Sequence, residues 1–137
     1  MQEAAGYVLD ASALLAYLQD EPGSEVVQAA LAIGGVINAV NYAEVLSRLG
    51  AVGEDPATAT RRLGELGLVD GLLGVVPLTE EDAVAIARLR AATRARGLSL
   101  ADRACLATAL RFGWPVVTSD RSWAALEVGV TVRLIRG

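Results

Sequence analysis

Short apolar runs and amphipathic stretches alternate along this chain almost from end to end. Residues 5–10 (AGYVLD) read as a buried strand ending in an acid. Residues 12–19 (SALLAYLQ) follow with helical character, and Ser12 is a plausible N-cap. The DEPGS stretch breaks that helix, residues 24–33 form a second, and Gly34-Gly35 makes a turn before the strand VIN at 36–38. A third helix covers roughly 40–50 and stops near Gly50 and Gly53. Asp55-Pro56 places an N-cap before a proline at the first helical position, opening a helix to about Leu66. The run LLGVVPL at 72–78 is the next strand. Thr79-Glu-Glu-Asp82 then resembles a capping box for a helix reaching Arg96, with Gly97 as its stop. Ser99 begins a helix ending near Phe112, ahead of Gly113. PVVT at 115–118 is a buried strand, residues 122–127 a brief helix, and VTVRLI at 130–135 an edge-type strand. Alternating βα units predict an α/β fold, a central parallel sheet with helices on both faces and right-handed crossovers. No repeat or linker interrupts it, so one domain is expected over residues 1–137.

Composition narrows the chemistry. A chain of 137 residues, 53% hydrophobic, suits one domain with a substantial core. No apolar run reaches the roughly 18 uncharged residues of a membrane span, and the N-terminus lacks a basic region before an apolar segment. A cytoplasmic protein without membrane contact is the expectation. The single cysteine, Cys105, excludes an internal disulfide and lies in an apolar helical stretch, where it reads as a buried structural thiol. The chain has no His, which removes Ser-His-Asp and Cys-His relays. It has no Lys, which removes the P-loop lysine. All 12 basic residues are Arg, and the net charge of −4 gives no general attraction to nucleic acid. A polyanionic substrate would need a local Arg patch and a bound cation.

The candidate chemistry lies in four acids at the ends of apolar runs: Asp10, Glu44, Asp102 and Asp120. Strand C-terminal ends share one edge of a parallel sheet, so carboxylates distant in sequence can converge there. Several carboxylates in one site repel unless a hard cation neutralises them, and Mg²⁺ or Mn²⁺ is the expected ion. Each acid also has a simpler role. Asp10 can be a helix N-cap. Glu44 falls close to an apolar face of Val40, Ala43, Leu46 and Leu49, where an unpaired carboxylate is costly, but a solvated face is the competing reading. Asp102 completes an S-x-x-D capping box from Ser99. Asp120 can be a turn residue or a cap. Their joint placement points to metal-dependent phosphodiester hydrolysis.

The segments VLDASALLAY, AVNYAEVL, LSLADRACLATA and VVTSDRSW, in this order and spacing, resemble the PIN domain, and specifically VapC-type toxins of bacterial and archaeal toxin–antitoxin systems. The resemblance covers essentially the whole chain. It implies a five-stranded parallel sheet and Mg²⁺-dependent ribonuclease activity. Asp10, Glu44, Asp102 and Asp120 would be the catalytic acids, with the accessory hydroxyls Ser12 and Thr118. Asp10, Asp102 and Asp120 would hold the metal, with Mn²⁺ able to substitute, and Glu44 would bind directly or through water. A retained water would supply the nucleophile, leaving a 5′-phosphate and a 3′-hydroxyl. The resemblance further implies a homodimer inhibited by a small VapB-like antitoxin. The alternatives are a PIN-fold nuclease of RNA processing or DNA cleavage, and a non-catalytic partner-binding PIN domain.

Arg103 and Arg121 directly follow site acids and are the candidate RNA contacts, although a surface ion pair explains either. Arg88, Arg90, Arg94 and Arg96 gather on one helix as solvated surface. Trp114 and Trp123 are expected to pack on the sheet rather than stack on bases. Leu14, Leu15, Leu18, Leu46, Leu49, Leu63 and Leu66 are either core or a shared apolar groove. The resemblance favours a groove for an amphipathic antitoxin segment, whose Arg could pair with the acids.

Overall fold

The central strands are apolar because helices cover the sheet on both faces, whereas the two edge strands are only partly buried. The computed structural model describes residues 5–137, and Met1–Ala4 of the domain expected over 1–137 lie outside the described residues. The strands are β1 (Tyr7–Leu9), β2 (Gly35–Asn38), β3 (Leu73–Val76), β4 (Val116–Thr118) and β5 (Val132–Leu134). They form one parallel sheet in the order β3-β2-β1-β4-β5. The α/β architecture and strand count are those expected.

Successive residues of a strand face opposite layers, and the two cores follow from this. Leu9, Ile37, Leu73 and Val117 point into one core, with residues of α1 (Ala11–Leu18), α2 (Ser24–Ile33), α3 (Ala39–Ala51) and α4 (Pro56–Glu65). Val8 and Val116 point into the other, with α5 (Glu80–Ala92), α6 (Leu100–Phe112) and Trp123. Cys105 is fully buried there, as expected. Both tryptophans pack rather than project: Trp123 is 1% exposed, and a Cβ on Gly6 would meet the Trp114 ring at 2.7 Å. Among the described residues no helix is long and apolar enough to cross a membrane.

Several boundaries differ from the sequence reading. β1 is shorter than 5–10 because Asp10 leaves the strand to cap α1, so Asp10 and not Ser12 is the N-cap. The helix expected to reach Arg96 ends at Ala92, where the Thr93 hydroxyl bonds back to the Leu89 carbonyl at 2.6 Å. A 3₁₀ turn, Arg94–Arg96, then leads to Gly97 at φ +62, a left-handed stop that favours glycine. The brief helix near 122–127 is a 3₁₀ turn, Arg121–Ala125. The leucine groove does not form from the residues proposed for it. Leu14, Leu15, Leu49 and Leu63 are core, Leu18 and Leu46 are half-buried, and Leu66 is 70% exposed. Stacking α1 to α4 on one face consumes the apolar stripe of each helix.

Strand order positions the site. The chain moves outward from β1 to β2 and β3, then returns through α5 and α6 to lay β4 on the other side of β1. Where a parallel sheet reverses direction, the loops after adjacent strands part and leave a crevice at their C-terminal ends. Asp10 follows β1 and Asp120 follows β4 at that crevice.

Candidate active site

An open cavity of about 910 Å³ lies at this edge, and Asp10, Glu44, Asp102 and Asp120 all line it. Asp10 is the innermost, 8% exposed. Its Oδ1 accepts from the Ala13 amide at 2.9 Å and the Ser12 hydroxyl at 2.7 Å, and its Oδ2 accepts from Thr118 Oγ1 at 2.5 Å. Each hydroxyl in turn accepts from the loop after β4: the Ser119 amide donates to Ser12 Oγ at 3.0 Å, and the Asp120 amide to Thr118 Oγ1 at 3.1 Å. Ser12 and Thr118 therefore fasten that loop to the Asp10 carboxylate. Burial pushes the Asp10 carboxyl above its ordinary value, the hydrogen bonds from Thr118, Ala13 and Ser12 pull it back, and the Asp102 charge adds to the rise.

The other three acids line the same cavity. Asp102 closes a capping box with Ser99, its Oδ2 accepting the Ser99 amide at 3.1 Å. Asp120 caps the 3₁₀ turn, its Oδ1 accepting the Ser122 amide at 2.9 Å and hydroxyl at 2.7 Å. Glu44 Oε1 accepts from Asn41 Nδ2 at 3.1 Å. Among the described residues, Asp102 Oδ1, Asp120 Oδ2 and Glu44 Oε2 accept no hydrogen bond. Capping and cavity-lining roles thus coexist in the same carboxylate. Glu44 departs from the sequence reading in its surroundings. The buried stripe of α3 is Asn41, Tyr42, Val45 and Leu49, and Glu44 is exposed on the cavity side, so no burial penalty applies to it.

These residues fit a hard divalent cation in donor chemistry, because every candidate ligand is an oxygen and all four carboxylate residues line one cavity. The charges of Asp10, Asp102 and Glu44 all act on the buried Cys105 thiol and, after burial itself, push it well above its ordinary value. All three carboxylates also line the one cavity. Among the described residues no three of them close into a ready cage.

The arginines fall elsewhere than expected. Arg103 sends Nη1 to the Ile86 carbonyl at 3.0 Å, on the α5 side, and Arg121 is exposed on the 3₁₀ turn; neither lines the cavity. The cavity cations are Arg48 and Arg136. Arg136 also donates to the Pro22 carbonyl at 2.6 Å. Arg48 was legible, being one helical turn beyond Glu44, whereas nothing in the sequence marks Arg136. Asn41, also missed, lies one turn before Glu44.

Comparison with known proteins bears on the family and the fold. The family model described as PIN domain matches residues 7–128. Among solved structures, a toxin–antitoxin complex from Klebsiella pneumoniae is similar in fold, at 18% identity over 95% of this chain and 98% of that one, with TM-score 0.70. FitAcB from Neisseria gonorrhoeae is 26% identical over 94% and 97%, with TM-score 0.68. VapBC-5 from Mycobacterium tuberculosis, a member of the VapBC family of toxin–antitoxin systems, is 25% identical over 97% and 99%, with TM-score 0.57. No curated protein sequence matches the chain.

Proposed function

The chain belongs to the PIN domain family, and from that premise we propose that it is a Mg²⁺-dependent endoribonuclease, the VapC-type toxin of a toxin–antitoxin pair. The observation that carries the reading is the convergence of Asp10, Glu44, Asp102 and Asp120 on one cavity at the switch point of the sheet. Similarity to VapBC-5, a member of the VapBC family of toxin–antitoxin systems, at 25% identity over 97% of this chain supports the toxin role.

Asp10, Asp102 and Asp120 would hold the metal, with Glu44 completing the set directly or through water. When bound, the ion supplies positive charge to the scissile phosphate and lowers the pKa of water beside it. The protein's own contribution is positional. Ser12 and Thr118 orient the Asp10 carboxylate and fix Asp120 relative to it. Arg48 and Arg136 line the cavity and would contact RNA phosphates there, although Arg136 also lies 4.0 Å from Glu21, so a bound cation is needed beside them to offset the acids. Arg121, exposed near the last acid, would contact RNA only outside the cavity, and Arg103 has no such role.

The partner would be a small VapB-like antitoxin that places a cationic segment over the acids, in a cytoplasmic complex built on a homodimer of this chain. Incubating contaminant-free protein with RNA tests the nuclease. Cleavage should require Mg²⁺ or Mn²⁺ and stop in EDTA, whereas undiminished cleavage in EDTA overturns the mechanism. Matched RNA and DNA substrates in the same metal test the substrate class. Co-expression with the neighbouring small reading frame tests the toxin role: a co-purifying protein that suppresses cleavage is expected. If no partner is found, and the lone chain leaves growth and cellular RNA untouched, the toxin role fails while the nuclease stands.

A further inference from the structure

We infer that Asn41, outside the acid set, is a positioning residue that fixes the spacing of Glu44 and Asp102. Asn41 is 2% exposed, and its side chain uses both amide protons and its oxygen toward named partners. Its Oδ1 accepts from Asn38 Nδ2 at 2.7 Å, while its Nδ2 donates to Glu44 Oε1 and to the Ala101 carbonyl, both at 3.1 Å. Those two acceptors stand on different helices. Glu44 belongs to α3, and Ala101 precedes Asp102 in the first turn of α6. One planar amide therefore ties both acids' supports together.

Its orientation is set by chemistry. Turning the amide over would aim Oδ1 at a carboxylate and a carbonyl, acceptor against acceptors. Asn38, fully buried at the end of β2, anchors it from below: its Oδ1 accepts the Asn41 amide at 2.8 Å, and its Nδ2 reaches Thr108 Oγ1 at 3.2 Å. Thr108 in turn donates to the Ala104 carbonyl at 2.9 Å. An unbroken line of bonds runs from the interior of α6 through β2 to the cavity rim. A buried network with its members satisfied holds a fixed geometry, which an exposed Glu side chain does not possess alone. The inference rests on the metal-dependent reading above, in which the Glu44–Asp102 distance decides how well a cation is held.

The test uses Asn41→Ser in the full chain, with Mn²⁺ alone as the calorimetric probe. Mn²⁺ affinity should fall about tenfold, as when a residue that orients a metal ligand is removed. In a Glu44→Gln background the same substitution should cost clearly less, because only the arm through Ala101 to Asp102 remains. A merely structural role would weaken both backgrounds equally, and that result, or unchanged affinity in a folded variant, overturns the inference. A metal-free arm reads hydrogen exchange at the Asp102 and Arg103 amides, which close the first turn of α6 onto Ser99. Exchange there should quicken about tenfold while the Ala83 amide at the start of α5 keeps its rate. If the wild-type chain binds no Mn²⁺, the metal reading falls and this arm alone decides, unchanged exchange overturning the inference. If Asn41→Ser does not fold, the wild-type side-chain amide carries the test. Its protons should exchange at least about tenfold more slowly than those of exposed Gln28, and equal rates overturn the inference.

Discussion

Two helices of this protein, α5 and α6, are each 13 residues long and begin with the same device, yet their carboxylates have opposite fates. In α5, Thr79 and Asp82 close a capping box, with bonds of 2.9 and 3.1 Å. In α6, Ser99 and Asp102 close another, at 3.1 and 3.0 Å. Asp82 is 2% exposed, and its second oxygen takes Arg111 Nε at 3.3 Å. The second oxygen of Asp102 faces the cavity without a cation. The local motif fixes where a helix starts. Whether the acid braces the fold or waits for an incoming ion depends on whether a neighbouring element supplies positive charge.

The largest expected effect separates the two on activity. Asp102→Asn keeps an oxygen for the Ser99 amide, so unfolding in urea should shift by less than about 1 kcal/mol. RNA cleavage should nonetheless fall about 10²-fold or more, the scale of losing one charge-stabilising group. Normal turnover by this variant would reduce Asp102 to a cap and erase the contrast. Next comes the reverse case. Asp82→Ala breaks the box and strands Arg111, and because the Arg111 side chain is 32% exposed the cost should be about 2 kcal/mol, less than for a fully buried pair. The folded fraction should cleave RNA as the wild type does. Lost cleavage at unchanged stability would show that the two boxes are not divided as described.

The smallest effect sharpens the comparison from the side of Asp10, the most buried of the cavity acids. Burial raises its carboxyl above the ordinary value of 3.8, so the folded state holds that proton more tightly than the unfolded chain. Stability therefore falls as pH rises through the interval between the two values, and the penalty persists above it. In metal-free protein, Asp10→Asn should raise the melting temperature at neutral pH, and the gain should vanish as pH approaches 3.8. A destabilised variant at neutral pH would mean that the hydrogen bonds from Ser12, Ala13 and Thr118 outweigh burial.

The alternation of apolar runs and the cap signals made the sheet, both cores and both capping boxes legible, because these depend on residues near one another in sequence. Position around a helix was harder to read. Arg103 adjoins Asp102, but one residue turns the side chain by about 100°, away from the cavity and onto Ile86. Arg48 reaches the cavity from one turn beyond Glu44. The burial of Asn38 and Asn41 was illegible for another reason. A polar residue is affordable in a core only when distant partners such as Thr108 and Ala101 satisfy it, and nothing local announces them. The leucines failed as a groove because helical periodicity reveals an apolar stripe but not what already covers it.

The strand order also has a temporal consequence. Thr118 and Asp10 touch across 108 positions of sequence, and β4 joins β1 only after α5 and α6 have returned the chain. Closing so long a loop carries a large entropic cost, whereas β2 can pair with β1 over a short one. On the ribosome, β1, β2 and β3 all emerge before β4 is made. A partly synthesised chain thus carries Asp10, Glu44 and even Asp102 without the loop that fastens them. The bonds that fasten Asp10 to the loop carrying Asp120 therefore form only once the last strands are made.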